Sequence, residues 1–146
     1  MKIWVEADAI PRDARDVVDR ATERLGIESV QVEGEGAHEL IADHAVPGDL
    51  VITRDLRLAA RLVPRGIAAL DVRGVEHTVA SIEADQATLR LLEEVRELAG
   101  NGGSGGGSGG GSAHGPPPYD ARAKREFASA LDRLLTRLQR VRDDGT

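Results

Sequence analysis

A chain of 146 residues is sized for one domain with room for an appended element, and 40% hydrophobic with 30% charged residues is the balance of a globular fold in water. The net charge of −6 excludes a surface that coats nucleic acid broadly, but not a nuclease, because metal-binding carboxylates are themselves negative. The lack of cysteine excludes disulfides, thiolate metal sites and cysteine nucleophiles, and fits a reducing compartment.

Strand and helix patterns alternate along the chain. Lys2 to Glu6 is short, mostly apolar and β-favouring. Pro11 stands where a helix would begin, a position that tolerates its missing N–H; Ala14, Val17, Val18, Ala21 and Leu25 follow at helical spacing up to Gly26. Ile27 to Val32 reads as a second strand. Gly34 and Gly36 break the chain before a short helix, Ala37 to Ala45, whose apolar face includes Leu40 and Ile41. After the turn Pro47-Gly48-Asp49, Leu50 to Thr53 is apolar without alternation, as in a strand covered on both faces. Leu56 to Arg65 is helical, with Leu58, Ala59, Leu62 and Val63 on one side, Pro64 near its end and Gly66 closing it. Ile67 to Asp71 is a further apolar strand. Val79 to Ala99 is a long amphipathic helix, with Leu89, Leu92, Val95 and Ala99 expected to face inward.

Residues 101–118 stand apart. Asn101 to Ser112 reads NGGSGGGSGGGS, with no side chain able to bury surface, and the prolines of Gly115 to Pro118 stiffen the end of this stretch; a flexible linker is expected, as regular as an engineered one. Beyond it, Asp120 to Arg142 predicts a last helix with the stripe Phe127, Leu131, Leu134, Leu138 and Val141, which must dock on the preceding domain or on another copy. Organisation is therefore expected as an α/β domain over 1–100, a linker over 101–118 and a docking helix over 119–146. Trp4, Tyr119 and Phe127 are the only aromatics, so nucleobase stacking on rings is nearly excluded. No apolar run approaches the ~20 residues of a membrane span, and the N-terminal segment turns acidic at Glu6 too soon for a signal peptide, so the expected compartment is the cytoplasm.

Alternating elements imply a mainly parallel sheet with helices on both faces, and in such sheets the functional crevice lies outside the carboxyl ends of the strands. Glu6 and Asp8 follow the first strand, Arg54 and Asp55 follow Leu50–Thr53, and His38, Glu39 and Asp43 lie on the short helix. Hard oxygen ligands of this kind suit Mg²⁺ or Mn²⁺, and a metal held there supports phosphodiester hydrolysis. Each residue also has a plainer reading. Asp8 could cap the helix near Pro11, Asp55 could cap the helix at Leu56, and Glu6 could be a solvated strand end. Gly34-Glu35-Gly36 lacks the third glycine of a dinucleotide fingerprint, and no His-Glu-x-x-His spacing is present.

The opening Met1-Lys-Ile-Trp-Val-Glu-Ala-Asp-Ala-Ile-Pro11, the stretch Pro47-Gly-Asp-Leu-Val-Ile-Thr-Arg-Asp55, then Leu58-Ala-Ala60, Gly66 through Gly74, Gly115-Pro-Pro-Pro-Tyr-Asp120 and Phe127-Ala-Ser-Ala-Leu-Asp-Arg133 together resemble the bacterial YaiI/YqxD family. The resemblance covers most of the chain outside the Gly/Ser stretch. It implies a PIN-like three-layer fold and a metal-dependent nuclease activity resting on retained acids. Asp8 and Asp55 match the family acids; Glu6 replaces an Asp, Ile10 a Cys, and His38 stands where Asp is usual, followed by Glu39. A longer polar and basic segment ahead of Ala37 is missing here, and the Gly/Ser stretch replaces a shorter connection.

These readings combine into one expectation: a PIN-like domain that binds Mg²⁺ or Mn²⁺ through Glu6, Asp8 and Asp55, with Glu39 or His38 completing the site, and cuts RNA. Arg54, Arg122, Lys124 and Arg125 are the candidates to guide the nucleic-acid backbone, although Arg122, Lys124 and Arg125 also read as a solvated helix face. Two rivals are a non-catalytic module that forms homodimers through its last helix, and a reworked scaffold without selected activity.

Overall fold

The computed structural model describes residues 1–100 and 119–144; the expected linker over 101–118 lies outside the described residues. The chain divides into two compact units, Met1–Val79 with Tyr119–Thr146, and Ala80–Pro118. The first holds β1 (Lys2–Glu6), α1 (Arg12–Leu25), β2 (Glu28–Val32), α2 (Ala37–His44), β3 (Leu50–Ile52), α3 (Leu56–Leu62), β4 (Ala68–Leu70), β5 (Glu76–His77) and α5 (Ala121–Asp144). The second is described through α4 (Val79–Gly100). The expected strands and helices are present, with most ends shifted by a residue or two: Pro11 is the cap before α1 rather than its first residue, and the helix expected to Arg65 ends at Leu62, with Val63–Arg65 in a 3-10 turn. The short antiparallel β5 was not expected, since two polar residues carry no alternating pattern.

The sheet order is β2-β1-β3-β4-β5, the first four strands parallel and β5 antiparallel to β4. From β1 the chain moves one strand outward to β2, then returns across β1 to place β3 on its other side. The sheet thus has a topological switch point between β1 and β3, where parallel α/β sheets open a crevice at their carboxyl edge.

Both faces are covered. Ile3, Val5, Leu50, Ile52 and Leu70 pack with Ala14, Val17, Val18 and Ala21 of α1 and with Phe127, Leu131, Leu134 and Leu135 of α5 in one cluster. The alternate residues Trp4, Val51 and Ala69 point to the opposite face, where the Trp4 ring lies 6.5 Å from that of His44 in α2. There Ile41, Leu58 and Leu62 are fully buried, and Arg65 ties α2 to the end of α3 by donating to the carbonyls of Ala42 and Ala45. Leu40 faces outward, so the buried stripe of α2 is Ala37, Ile41 and Ala42.

The last helix docks in cis. Phe127, Leu131 and Leu135 recur at helical spacing and are at most 1% exposed, and a buried side chain of this size is worth roughly 1.5–3 kcal/mol. The stripe stops at half-buried Leu138; Val141, expected within it, is 64% exposed. Gly74, at φ 88°, lets the turn after β4 approach α5 closely: a Cβ there would stand 3.0 Å from the Glu126 carbonyl oxygen. Tyr119 adds a tether, its hydroxyl donating to the Val72 carbonyl at 2.9 Å. In α4, by contrast, Leu89, Leu92, Val95 and Ala99 are exposed rather than inward-facing. Amphipathic spacing establishes that a face exists, not which described residues cover it.

One acid is structural. Asp49, 3% exposed at the amino edge of the sheet, accepts from the Lys2 N–H on Oδ1 and from Trp4 Nε1 and the Val46 N–H on Oδ2, each at 3.0 Å. It joins the start of β1 to the turn that launches β3. Asp49→Asn leaves one oxygen for three donors and turns an amide N–H toward one of them; we predict a loss of about 2–3 kcal/mol in urea unfolding, and no loss would contradict this account.

Tyr119 gives a second check. Burial, reinforced by Asp13, pushes its phenol up to about 12. The folded value lies above that of the unfolded chain, so the neutral ring's contribution is whole below pH ~10 and lost as pH rises through ~12. Absorbance titration of this single tyrosine should give a midpoint well above 10; an ordinary midpoint would mean an undocked ring.

Candidate active site at the carboxyl edge of the sheet

Parallel register carries the ends of β1 and β3 to one edge. Val5 is level with Ile52, so the next residues, Glu6 and Thr53, emerge side by side. Thr53, fully buried, donates its hydroxyl to Glu6 Oε2 at 2.6 Å and accepts the Asp55 N–H at 3.0 Å. One side chain therefore fixes both the carboxylate that ends β1 and the backbone that presents Asp55.

His38, in the first turn of α2, completes the cluster. Its Nε2 lies 3.0 Å from Glu6 Oε1 and 3.6 Å from Asp55 Oδ2. Two carboxylates from adjacent strands thus face one nitrogen. Asp55 also caps α3, its Oδ1 accepting the Arg57 N–H at 2.7 Å, so its capping and site roles use different oxygens. Asp8 sits in a 3-10 turn after β1 and does not cap α1; its Oδ2 accepts the Gly34 N–H at 2.6 Å, pinning the glycine loop to the site.

Glu6, Asp8, Arg54 and Asp55 line a shallow cleft of about 540 Å³. Glu6 and Asp8 also line a neighbouring one of about 260 Å³ with His38 and Glu39. Glu39 stands at its rim, both oxygens held by Arg61 at 2.8 and 3.3 Å. That hydrogen bonding and the Arg61 charge hold its carboxyl below the usual range, which weakens it as a base. Of the basic candidates, only Arg54 lines these clefts; Arg122 pairs with Glu126 along α5, and Lys124 and Arg125 border a groove elsewhere. Among the described residues, no three His, Asp or Glu side chains are gathered to hold an ion by themselves. Thr53 was overlooked in the sequence; its signal is a hydroxyl closing a wholly apolar strand one residue before Arg54-Asp55.

Fold and edge together define a three-layer α/β domain with an acidic site at the switch point of a parallel sheet. The chain belongs to the YaiI/YqxD family: residues 29–137 match the family model described as "Uncharacterized BCR, YaiI/YqxD family". It is 37% identical to a UPF0178 protein of Pseudomonas fluorescens SBW25 over 96% of this chain and 99% of that one. It is 42% identical to one from Geobacter metallireducens over 96% of each, and 37% identical to one from Myxococcus xanthus over 94% and 96%. The first alignment runs over 160 positions, more than this chain has, so that relative carries residues that this chain lacks. No solved structure matches. Among the described residues, no helix is long and apolar enough to cross a membrane.

Thr53→Val preserves shape and removes both hydroxyl bonds, one of them to a carboxylate. We predict a loss of about 2 kcal/mol for Thr53→Val and under about 1 kcal/mol for Thr53→Ser in equilibrium unfolding; equal losses would show that packing, not the hydroxyl, matters there.

Proposed function

We propose that this chain is a PIN-like nuclease that depends on Mg²⁺ or Mn²⁺ and hydrolyses RNA phosphodiester bonds in the cytoplasm. The carrying observation is the convergence of Glu6 and Asp55 on one point, which the His38 ring nitrogen fills. The donor set fits: Mg²⁺ keeps several waters and is commonly held by only one or two protein carboxylates plus substrate phosphate oxygens, so a closed cage is not needed. When bound, the metal supplies an acidified water and a positive charge for a phosphate oxygen.

In this reading Glu6 and Asp55 are the ligands, and Asp8, lining the same cleft, adds a third carboxylate or orients bound water. Thr53 holds Glu6 so that little reorganisation is needed. Arg54 offers its guanidinium fork to a phosphate oxygen beside Asp55. His38 orients the two carboxylates, and Glu39, engaged by Arg61, stays at the rim. A second reading, a non-catalytic module that associates with another copy, draws on the exposed apolar residues of α4; a strict monomer by light scattering at high concentration would dispose of it.

The test is calorimetric titration with Mn²⁺. Second-shell changes alone cost metal sites roughly 10–100-fold in affinity, so Asp55→Asn should weaken binding at least tenfold, and RNA hydrolysis should stop with chelator and return with Mn²⁺. Equal Mn²⁺ affinity in both proteins would remove the site.

A further inference from the structure

A further concavity, basic in character, lies away from the acids, between α1 and α5. It encloses about 510 Å³ and is walled by Arg20, Arg24, Lys124, Arg125, Ser129 and Asp132. Its floor is apolar, from Val17, Ala21 and Leu131. We propose that this groove binds the sugar-phosphate backbone of single-stranded nucleic acid, independently of the acidic cluster.

Charge carries the argument. In a chain of net charge −6, four cations border one groove, and the single acid among its lining residues, Asp132, is already paired with Arg24. Arg20, Lys124 and Arg125 enter no ion pair among the described residues. The segregation is written into α1: Arg20 and Arg24 recur four apart on the face of Val17 and Ala21, while Asp19 and Glu23 recur four apart on another face. Coulomb repulsion between uncompensated cations is relieved by an anion laid between them, and the arginine fork matches phosphate geometry.

The occupant is set by what the groove contains and lacks. It has no aromatic residue, so bases cannot be held by stacking, and recognition is confined to the backbone. Its apolar floor, set between two packed helices ~8–10 Å apart, admits one strand, with sugars against the floor and phosphates on the rims. Asp19 and Glu23 lie on another face of α1 and the lining acid Asp132 is paired with Arg24, so the groove keeps a local positive field within a chain of negative net charge.

The test is fluorescence anisotropy of a labelled oligouridylate with the full chain in EDTA, which keeps the acid site out of the measurement. Three phosphate contacts, from Arg20, Lys124 and Arg125, predict a slope of log K on log salt of roughly −2 for a single strand. Arg20→Ala/Arg125→Ala, both at exposed positions, should cut that slope to about a third and weaken binding by roughly tenfold or more at low salt. Asp55→Asn should bind as the wild type does, which separates this groove from the proposed metal site. An unchanged affinity in the double variant, or no binding by the wild type at low salt, would overturn the proposal. So would poly-glutamate competing as well as the unlabelled oligonucleotide, or a duplex binding more tightly than the single strand.

Discussion

The hydroxyl of Thr53, held against Glu6 at 2.6 Å across the switch point of the sheet, is the contact on which the site depends. It joins two strands that run side by side because α1 and α2 send the chain to opposite faces between β1 and β3. Without that parallel register, Glu6 and Asp55 would be two unrelated acids forty-nine positions apart in sequence. With it, their mutual repulsion becomes a stored preference for something positive. The His38 ring nitrogen occupies the position between them, and α2 is placed to deliver it because Gly36 opens that helix beside the end of β1.

The two edges of the sheet use the same chemistry for opposite ends. At the amino edge Asp49 is buried and accepts three N–H groups, so its charge binds β1 to the turn that precedes β3. At the carboxyl edge Glu6 and Asp55 retain side-chain exposures of 12% and 35% and each directs an oxygen at a ring rather than at the backbone. Satisfied, buried acids build structure; partly satisfied acids on an open cleft are available for chemistry. Arg61, by holding Glu39, narrows the set of available groups to Glu6, Asp8, His38 and Asp55.

Much of this was legible in the sequence. Apolar runs bounded by glycine gave the alternation of elements, and the acids after the first and third strands gave the edge. What the sequence withheld was contact-dependent. Pairing between Glu6 and Thr53 is a consequence of register, which no local pattern encodes. Asp49 looks like any turn aspartate until the Trp4 indole is brought to it. Leu89, Leu92 and Val95 have helical spacing that implies burial, yet they are exposed, because an amphipathic face states a need and not its partner. Arg20 and Arg24 carry no site signal in the local pattern of α1; docking of Phe127 and Leu131 against that helix sets Lys124 and Arg125 opposite them. The stripe of α5 required docking but left open whether on this domain or on another copy; the turn at Gly74 shows how closely the helix approaches its own domain.

The convergence of Glu6 and Asp55 on a cation position is the claim from which the enzymatic reading grows. Crystals soaked in Mn²⁺ and measured at a wavelength with manganese anomalous signal test it directly. A single strong peak is expected at about 2.0–2.2 Å from one oxygen of each carboxylate, with the His38 ring displaced or turned to join the ligands. A peak elsewhere, or clean density with His38 still bridging the two acids at saturating manganese, would contradict it.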